Sequence, residues 1–349
     1  MRPTKRIEYI DALRGFTMIL VVFAHVETIG FSDAMHKSFF GDLFCMFRMP
    51  LFFFISGFIA WREREWRTPL FIELSLKKIR VQLIPTLIFG LFLTYIISDT
   101  DIVAFITSPT KMGLWFTIAL LEMFLISYLL EYILYILQLT RFRILAFAVL
   151  VLCASGLKVI LVLSGALPQL VSILSLHYVL SYLPFFVLGY ICSIKRGLFF
   201  KFIEEQRARF LIIIIFILTA IYSIKIGAPN NIVQTIVEYV GGVTGLLIVF
   251  TYFRSHQDVF SVSTIIGRNL QYVGRRTFDI YLIHNMLIPH FPQLGYFFTK
   301  HPMPIIELFV NLFVSLLIVF GCLVISSVIR LSNPLATLCF GVKQKNNNK

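Results

Sequence analysis

Apolar residues fall in ten long runs, at about 11–30, 39–60, 80–97, 115–137, 144–163, 172–194, 210–226, 232–253, 272–292 and 305–329, separated by short and mostly basic stretches. A helix needs about 20 apolar residues to cross the hydrocarbon core of a bilayer, and each run meets that length. The pattern therefore predicts an all-α fold, a polytopic integral membrane helical bundle of about ten transmembrane helices. The connections leave no room for a separate soluble domain, so residues 1–349 are expected to form a single transmembrane domain whose last residues, 343–349, are a polar cytoplasmic tail.

Composition agrees: 58% of residues are hydrophobic and 14% charged, and mean hydropathy is +0.86. The first run is long, carries charge and lacks a small-residue cleavage pattern downstream, which marks a retained span rather than a signal peptide. Cys45, Cys153, Cys192, Cys322 and Cys339 lie scattered, nearly all in apolar runs, and show neither disulfide nor metal spacing; they are expected to pack.

The net charge of +13 changes the picture only through its placement. Arg2, Lys5 and Arg6, the stretch from Arg62 to Arg80, Arg141 and Arg143, Lys195 to Arg209, Arg254 to Arg276, Arg330 and the tail lysines share one side of the membrane by run order. Loops on the other side hold only Lys37, Lys111, Lys225 and Lys300. This positive-inside asymmetry puts both termini in the cytoplasm and removes nucleic acid as a partner. "GGVTG", residues 241–245, has small-residue spacing inside a run and lacks the strand and Lys-Ser/Thr ending of a phosphate loop, so it is read as a helix-packing surface.

Ionisable residues inside spans are costly and mark function by default. Rise per residue places His25 in the outer half of the first span, roughly 16 Å above Arg14. Arg48 in the second run, Glu122 in the fourth and His284 in the ninth fall at similar depth, so four helices can bring polar groups to one layer. Structural roles stay open for each. His284 can be an interhelical hydrogen-bonding residue, Arg48 and Glu122 a buried ion pair, and Asp11 with Arg14 a local pair at the interface. A second cluster, Arg14 with Lys77, Lys78 and Arg80 and with Arg275 and Arg276, lies at the cytoplasmic side. It is either a by-product of topology or a seat for a phosphorylated donor.

With these residues in view, the chain resembles the membrane-bound acyltransferase 3 family, whose members O-acylate sugars and other acceptors outside the cytoplasm. "IEYIDALRGFTMILVVFAH", residues 7–25, is similar to that family's first-helix signature, in which ten residues separate a basic residue from a His, here Arg14 and His25. "MPLFFFISGF", "LWFTIALLEMF", "LPFFVLGYI" and "RTFDIYLIHNML" resemble later segments in the family's order, and the likeness covers nearly the whole chain. It is nearest to short forms related to fucose acetylases, without an appended esterase-like domain. Two positions depart from the pattern: Arg48 stands where many relatives have His, and Lys77 with Arg80 replaces an Arg-x-x-Arg pair.

The resemblance implies transfer of an acyl group, expected to be acetyl, from cytoplasmic acyl-CoA to a hydroxyl of a carbohydrate or glycolipid acceptor, with no metal, in the inner membrane of a bacterium. His25 is expected to act as general base, because a sugar hydroxyl is a poor nucleophile until a base takes its proton. Arg48 or a protonated His284 is expected to stabilise the oxyanion, and Glu122 to hold a His tautomer or pair with Arg48. Arg14, Lys77, Lys78 and Arg80 are expected to contact CoA phosphates. The alternative is a transporter or flippase of an anionic or glycolipid substrate, which predicts symmetric halves and matching broken helices; no such symmetry is evident in the sequence.

Overall fold

The computed structural model describes residues 7–31, 38–97, 101–225 and 232–342. Expectations resting on Arg2, Lys5, Arg6, Lys37, the Lys225 side chain, most of the loop at 31–38, residues 98–100 and the tail 343–349 lie outside the described residues. Every regular element among those described is helical. In chain order they are α1 (Glu8–His25), α2 (Phe39–Ala60), α3 (Thr68–Phe92), α4 (Ile102–Thr107), α5 (Trp115–Ile136), α6 (Arg143–Ser164), α7 (Pro168–Ile173) and α8 (Leu176–Ile194). There follow α9 (Arg196–Glu204), α10 (Gln206–Lys225), α11 (Ile232–Ser255), α12 (Ile265–Arg275), α13 (Thr277–Leu287), α14 (Pro292–Lys300), α15 (Pro304–Ile329) and α16 (Asn333–Phe340).

Eight of these helices, α1, α2, α5, α6, α8, α10, α11 and α15, are long and apolar enough to cross a membrane, and the protein is an integral membrane helical bundle. The other two of the ten predicted runs behave differently. The third falls in the second half of α3, which starts as early as Thr68 and carries Glu73, Lys77, Lys78 and Arg80 ahead of its apolar part. The ninth is broken at Arg276, whose φ of −112° and ψ of 14° leave the helical region. Its first residues belong to α12, an amphipathic helix that buries Gly267, Gln271 and Gly274 along one face, and only the 11 residues of α13 continue. At about 1.5 Å per residue, α13 alone is roughly half the length of a full crossing.

Contacts divide the chain into two compact units, Met1–Ile55 with Lys195–Val324 and Ser56–Ile194 with Ile325–Lys349, so the boundaries fall inside α2 and α15. In the first unit, α1 is apolar around its circumference and is accordingly buried on nearly all sides, with Tyr9, Leu13, Met18, Val22 and Phe23 enclosed. It packs on α11, α12 and α13. Phe250 of α11 knits the unit together, its ring 6.1 Å from Tyr9, 5.4 Å from Phe54 and 5.4 Å from Phe199. Such aromatic pairs add about 0.5–1.5 kcal/mol each beyond the area they bury. The "GGVTG" segment performs the packing expected of it: Gly241 receives Met46, and Gly245 receives Phe47 and Phe216.

In the second unit, α5 packs on α3 and α8, and α8 on α6 and α7. Its most enclosed charge is Glu131 of α5, fully buried, with Arg143 at 2.7 Å and the Tyr190 hydroxyl donating to it at 2.9 Å. The Arg143 guanidinium also lies over Trp61, 4.4 Å from the ring centre. By contrast α6, one of the most apolar spans, is only 11% buried, and its faces are left for lipid.

Candidate functional site

Two glycines set the site's base. A Cβ on Gly15 of α1 would fall on the carbonyl oxygen of Leu270, and one on Gly274 of α12 would fall on that of Asp11. The two helices thus cross backbone against backbone, an approach only glycine allows at both positions. Just past the crossing the chain turns at Arg276 into α13, which starts beside α1. Arg14 then donates to the Thr277 hydroxyl at 3.0 Å while keeping Asp11 at 3.7 Å. Further along, the Phe291 amide donates to the Gly30 carbonyl at 2.7 Å and His290 to that of Ile29 at 3.2 Å. α13 and the segment that follows it therefore run beside α1 and its wide-turn extension from Arg14 to Gly30.

His25 and His284 meet between these two fastenings, their rings 4.9 Å apart and inclined at 62°. The register explains the meeting. Eleven residues from Arg14 to His25 make about three helical turns, and seven from Thr277 to His284 make about two, so each pair recurs on the face it started from. Immediately after His25 the helix widens to i→i+5 bonding over Val26–Gly30, closed by Phe31 donating to Val26 at 2.9 Å. Wide turns of this kind concentrate at functional positions.

His284 is completely buried. Its Nδ1 lies 2.8 Å from the Tyr281 carbonyl and 3.1 Å from that of Ile280. A carbonyl only accepts, so Nδ1 carries the proton and a neutral His284 presents Nε2 as an acceptor. That Nε2 has no hydrogen-bonding partner among the described residues. The backbone of its own helix therefore sets the His284 tautomer. Arg48, half-buried on α2, is near enough for its charge to act on His25.

Of the eight predicted site residues, the first unit thus holds Arg14, His25, Arg48 and His284. Glu122, Lys77, Lys78 and Arg80 belong to the second. There Glu122 lies half-buried on α5 and its charged neighbour is Lys111. Lys78 stands over the Phe124 ring at 3.3 Å, whereas Lys77 and Arg80 are exposed on α3. Sequence reasoning missed Thr277, which fastens Arg14, and the crossing at Gly15 and Gly274; the "RG" of the first run and the "GRRT" before α13 were the available signals.

Lys111 was counted only as a loop charge, yet it is buried. Its ammonium donates to the carbonyls of Ile106 at 2.6 Å, Ser108 at 2.9 Å and Ser172 at 2.6 Å. Burial pulls its pKa below the ordinary lysine value, while the Glu122 charge opposes that shift.

No curated protein and no solved structure matches the chain. A protein-family model described as an acyltransferase domain matches residues 7–330, which takes in α1 to α15 and most of both units. The resemblance carried by Arg14, His25 and the later segments is thereby established, and the chain belongs to the acyltransferase 3 family of integral membrane acyltransferases.

Proposed function

We propose that the protein is an O-acyltransferase that moves an acyl group, acetyl in the simplest case, from cytoplasmic acyl-CoA to a sugar, polysaccharide or glycolipid hydroxyl on the other side of a bacterial inner membrane. The observation that carries this reading is the His25–His284 pair, in which the fully buried His284 imidazole keeps an acceptor nitrogen unpartnered among the described residues. A buried polar atom without a partner asks for an explanation, and a hydroxyl-rich substrate supplies one.

His25 takes the proton of the attacking hydroxyl as its oxygen bonds to the thioester carbon. The carbonyl oxygen becomes an oxyanion facing Arg48, whose guanidinium is a standing donor; a neutral His284 with Nε2 unprotonated is not one. His284 instead accepts from a second hydroxyl of the acceptor and so orients it. When the tetrahedral adduct collapses, the carbon–sulfur bond breaks and the proton on His25 passes to the departing CoA thiolate, leaving ester and free thiol. Arg14, held by Thr277 and Asp11, takes donor phosphate at the base of the site.

The test uses purified full-length protein in lipid nanodiscs with labelled acetyl-CoA and a panel of sugars. His25→Ala is expected to lower transfer by about 10²–10⁴-fold with CoA binding retained. Near wild-type transfer by His25→Ala would overturn the assignment, and movement of an unmodified acceptor across the membrane would point to a transporter.

A further inference from the structure

Outside the histidine site, α6, α7 and α8 of the second unit enclose a cleft of about 240 Å³. Its lining includes Lys158, Ser172 and His177 beside Leu161, Val162 and Leu180. Lys158 is a charge within a span, and on α6, the least buried of the eight candidate spans. It lies six residues before the end of α6 at Ser164, about 9 Å by helical rise. A lysine at such depth ordinarily extends along its own helix to reach water. Here the side chain is half-buried, lines the cleft, and acts electrostatically on His177 across it.

No carboxylate opposes Lys158 among the described lining residues. Lys111, outside the lining, donates to the carbonyl of Ser172, a lining residue. Beside the mouth, α6 turns its apolar side outward: Val159, Ile160, Val162 and Leu163 are 56%, 61%, 65% and 82% exposed. The cleft therefore joins a cationic pocket to a hydrocarbon-facing helix at the depth where lipid headgroups begin. Its volume is below the roughly 300–1,000 Å³ of sites that enclose a whole drug-sized ligand, so a headgroup fits inside and chains remain outside.

We infer that this cleft is a binding site for a phosphate-headed anionic lipid, its phosphate held by Lys158 and His177 and its chains lying along Leu161, Val162 and the exposed face of α6. The leaflet is the one opposite the Arg141–Arg143 loop, because α6 starts at Arg143. This site is independent of the acyl-transfer reading and stands or falls without it.

Native mass spectrometry of the full-length protein, released from neutral detergent with added phosphatidylglycerol, tests the inference. One lipid is expected to remain bound per chain, with Lys158→Gln and Lys158→Glu weakening retention by about tenfold or more and Lys158→Arg preserving it. Loss in all three variants, with melting temperatures unchanged, would show that packing rather than charge holds the lipid and would overturn the assignment. Wild-type retention by Lys158→Glu would overturn it too. Diacylglycerol retained as well as phosphatidylglycerol would remove the phosphate from the recognition. Displacement of the lipid by millimolar inorganic phosphate would reduce the site to a free-anion pocket, against the proposal.

Discussion

Replacing Gly15 by alanine puts a methyl group onto the backbone of α12. The nearest atoms are the Leu270 carbonyl and the Gly274 amide nitrogen, neither of which can swing aside as a side chain does. A carbon–oxygen contact in a packed helix pair settles at about 3.3–3.6 Å, so α12 must retreat by on the order of 1 Å. Overpacking of this kind costs about 1–3 kcal/mol, and contact with backbone argues for the upper part of that range. The displacement is then carried to Arg276 and α13, loosening the Arg14–Thr277 bond and shifting His284 against His25. A misplacement near 1 Å costs about 10²-fold in rate where reacting groups are pre-positioned. Gly15→Ala should therefore lower both the melting temperature in detergent and acyl transfer. Gly156→Ala in α6, where a Cβ meets open space, should lower neither. Gly15→Ala with the stability and activity of the parent would refute the crossing as the element that positions the histidines.

Further outcomes follow from the same geometry. Arg143→Leu strands the buried Glu131 charge and should cost about 3–5 kcal/mol in a denaturant titration, most of it recovered in the Arg143→Leu, Glu131→Gln double variant. Lys111→Met removes a donor shared by three carbonyls and should cost about 3 kcal/mol in the same titration. Because the Lys111 pKa is lowered by burial, the unfolded chain binds more protons than the fold between that lowered value and 10.5. Stability should accordingly rise with pH as 10.5 is approached, and Lys111→Met should flatten this part of the profile measured by thermal unfolding. Thr277→Val removes one of the acceptors that fix Arg14, leaving Asp11 beside it, and should weaken CoA binding by about fivefold in calorimetry, on the order of 1 kcal/mol, without unfolding the protein.

The spans were legible because lipid makes one demand, a long apolar run, and eight runs answer it directly. The ninth was not, since hydropathy averages across Arg276 and cannot tell a spanning helix from an amphipathic helix followed by a short one. A lone "GRRTF" turn was the only local mark of the break. His25 and His284 could be paired from depth, since rise per residue is fixed. Depth says nothing about which carbonyls a ring faces, so the tautomer of His284 had to come from coordinates. Lys111 and Lys158 escaped for opposite reasons. One looks like a loop charge but is buried by three carbonyls, and the other sits inside a run where apolar neighbours conceal it.

The paired registers of α1 and α13 bear on how this chain can change over time. Each residue inserted between Arg14 and His25 would swing His25 about 100° around the helix and lift it about 1.5 Å. A deletion does the reverse. Side chains along this stretch can be exchanged for others of similar volume, but its length cannot drift by even one residue without parting the two imidazoles. Insertions and deletions should therefore be absent between positions 14 and 25 of working variants, however far their sequences diverge, and accumulate in the loops where no such phase has to be kept.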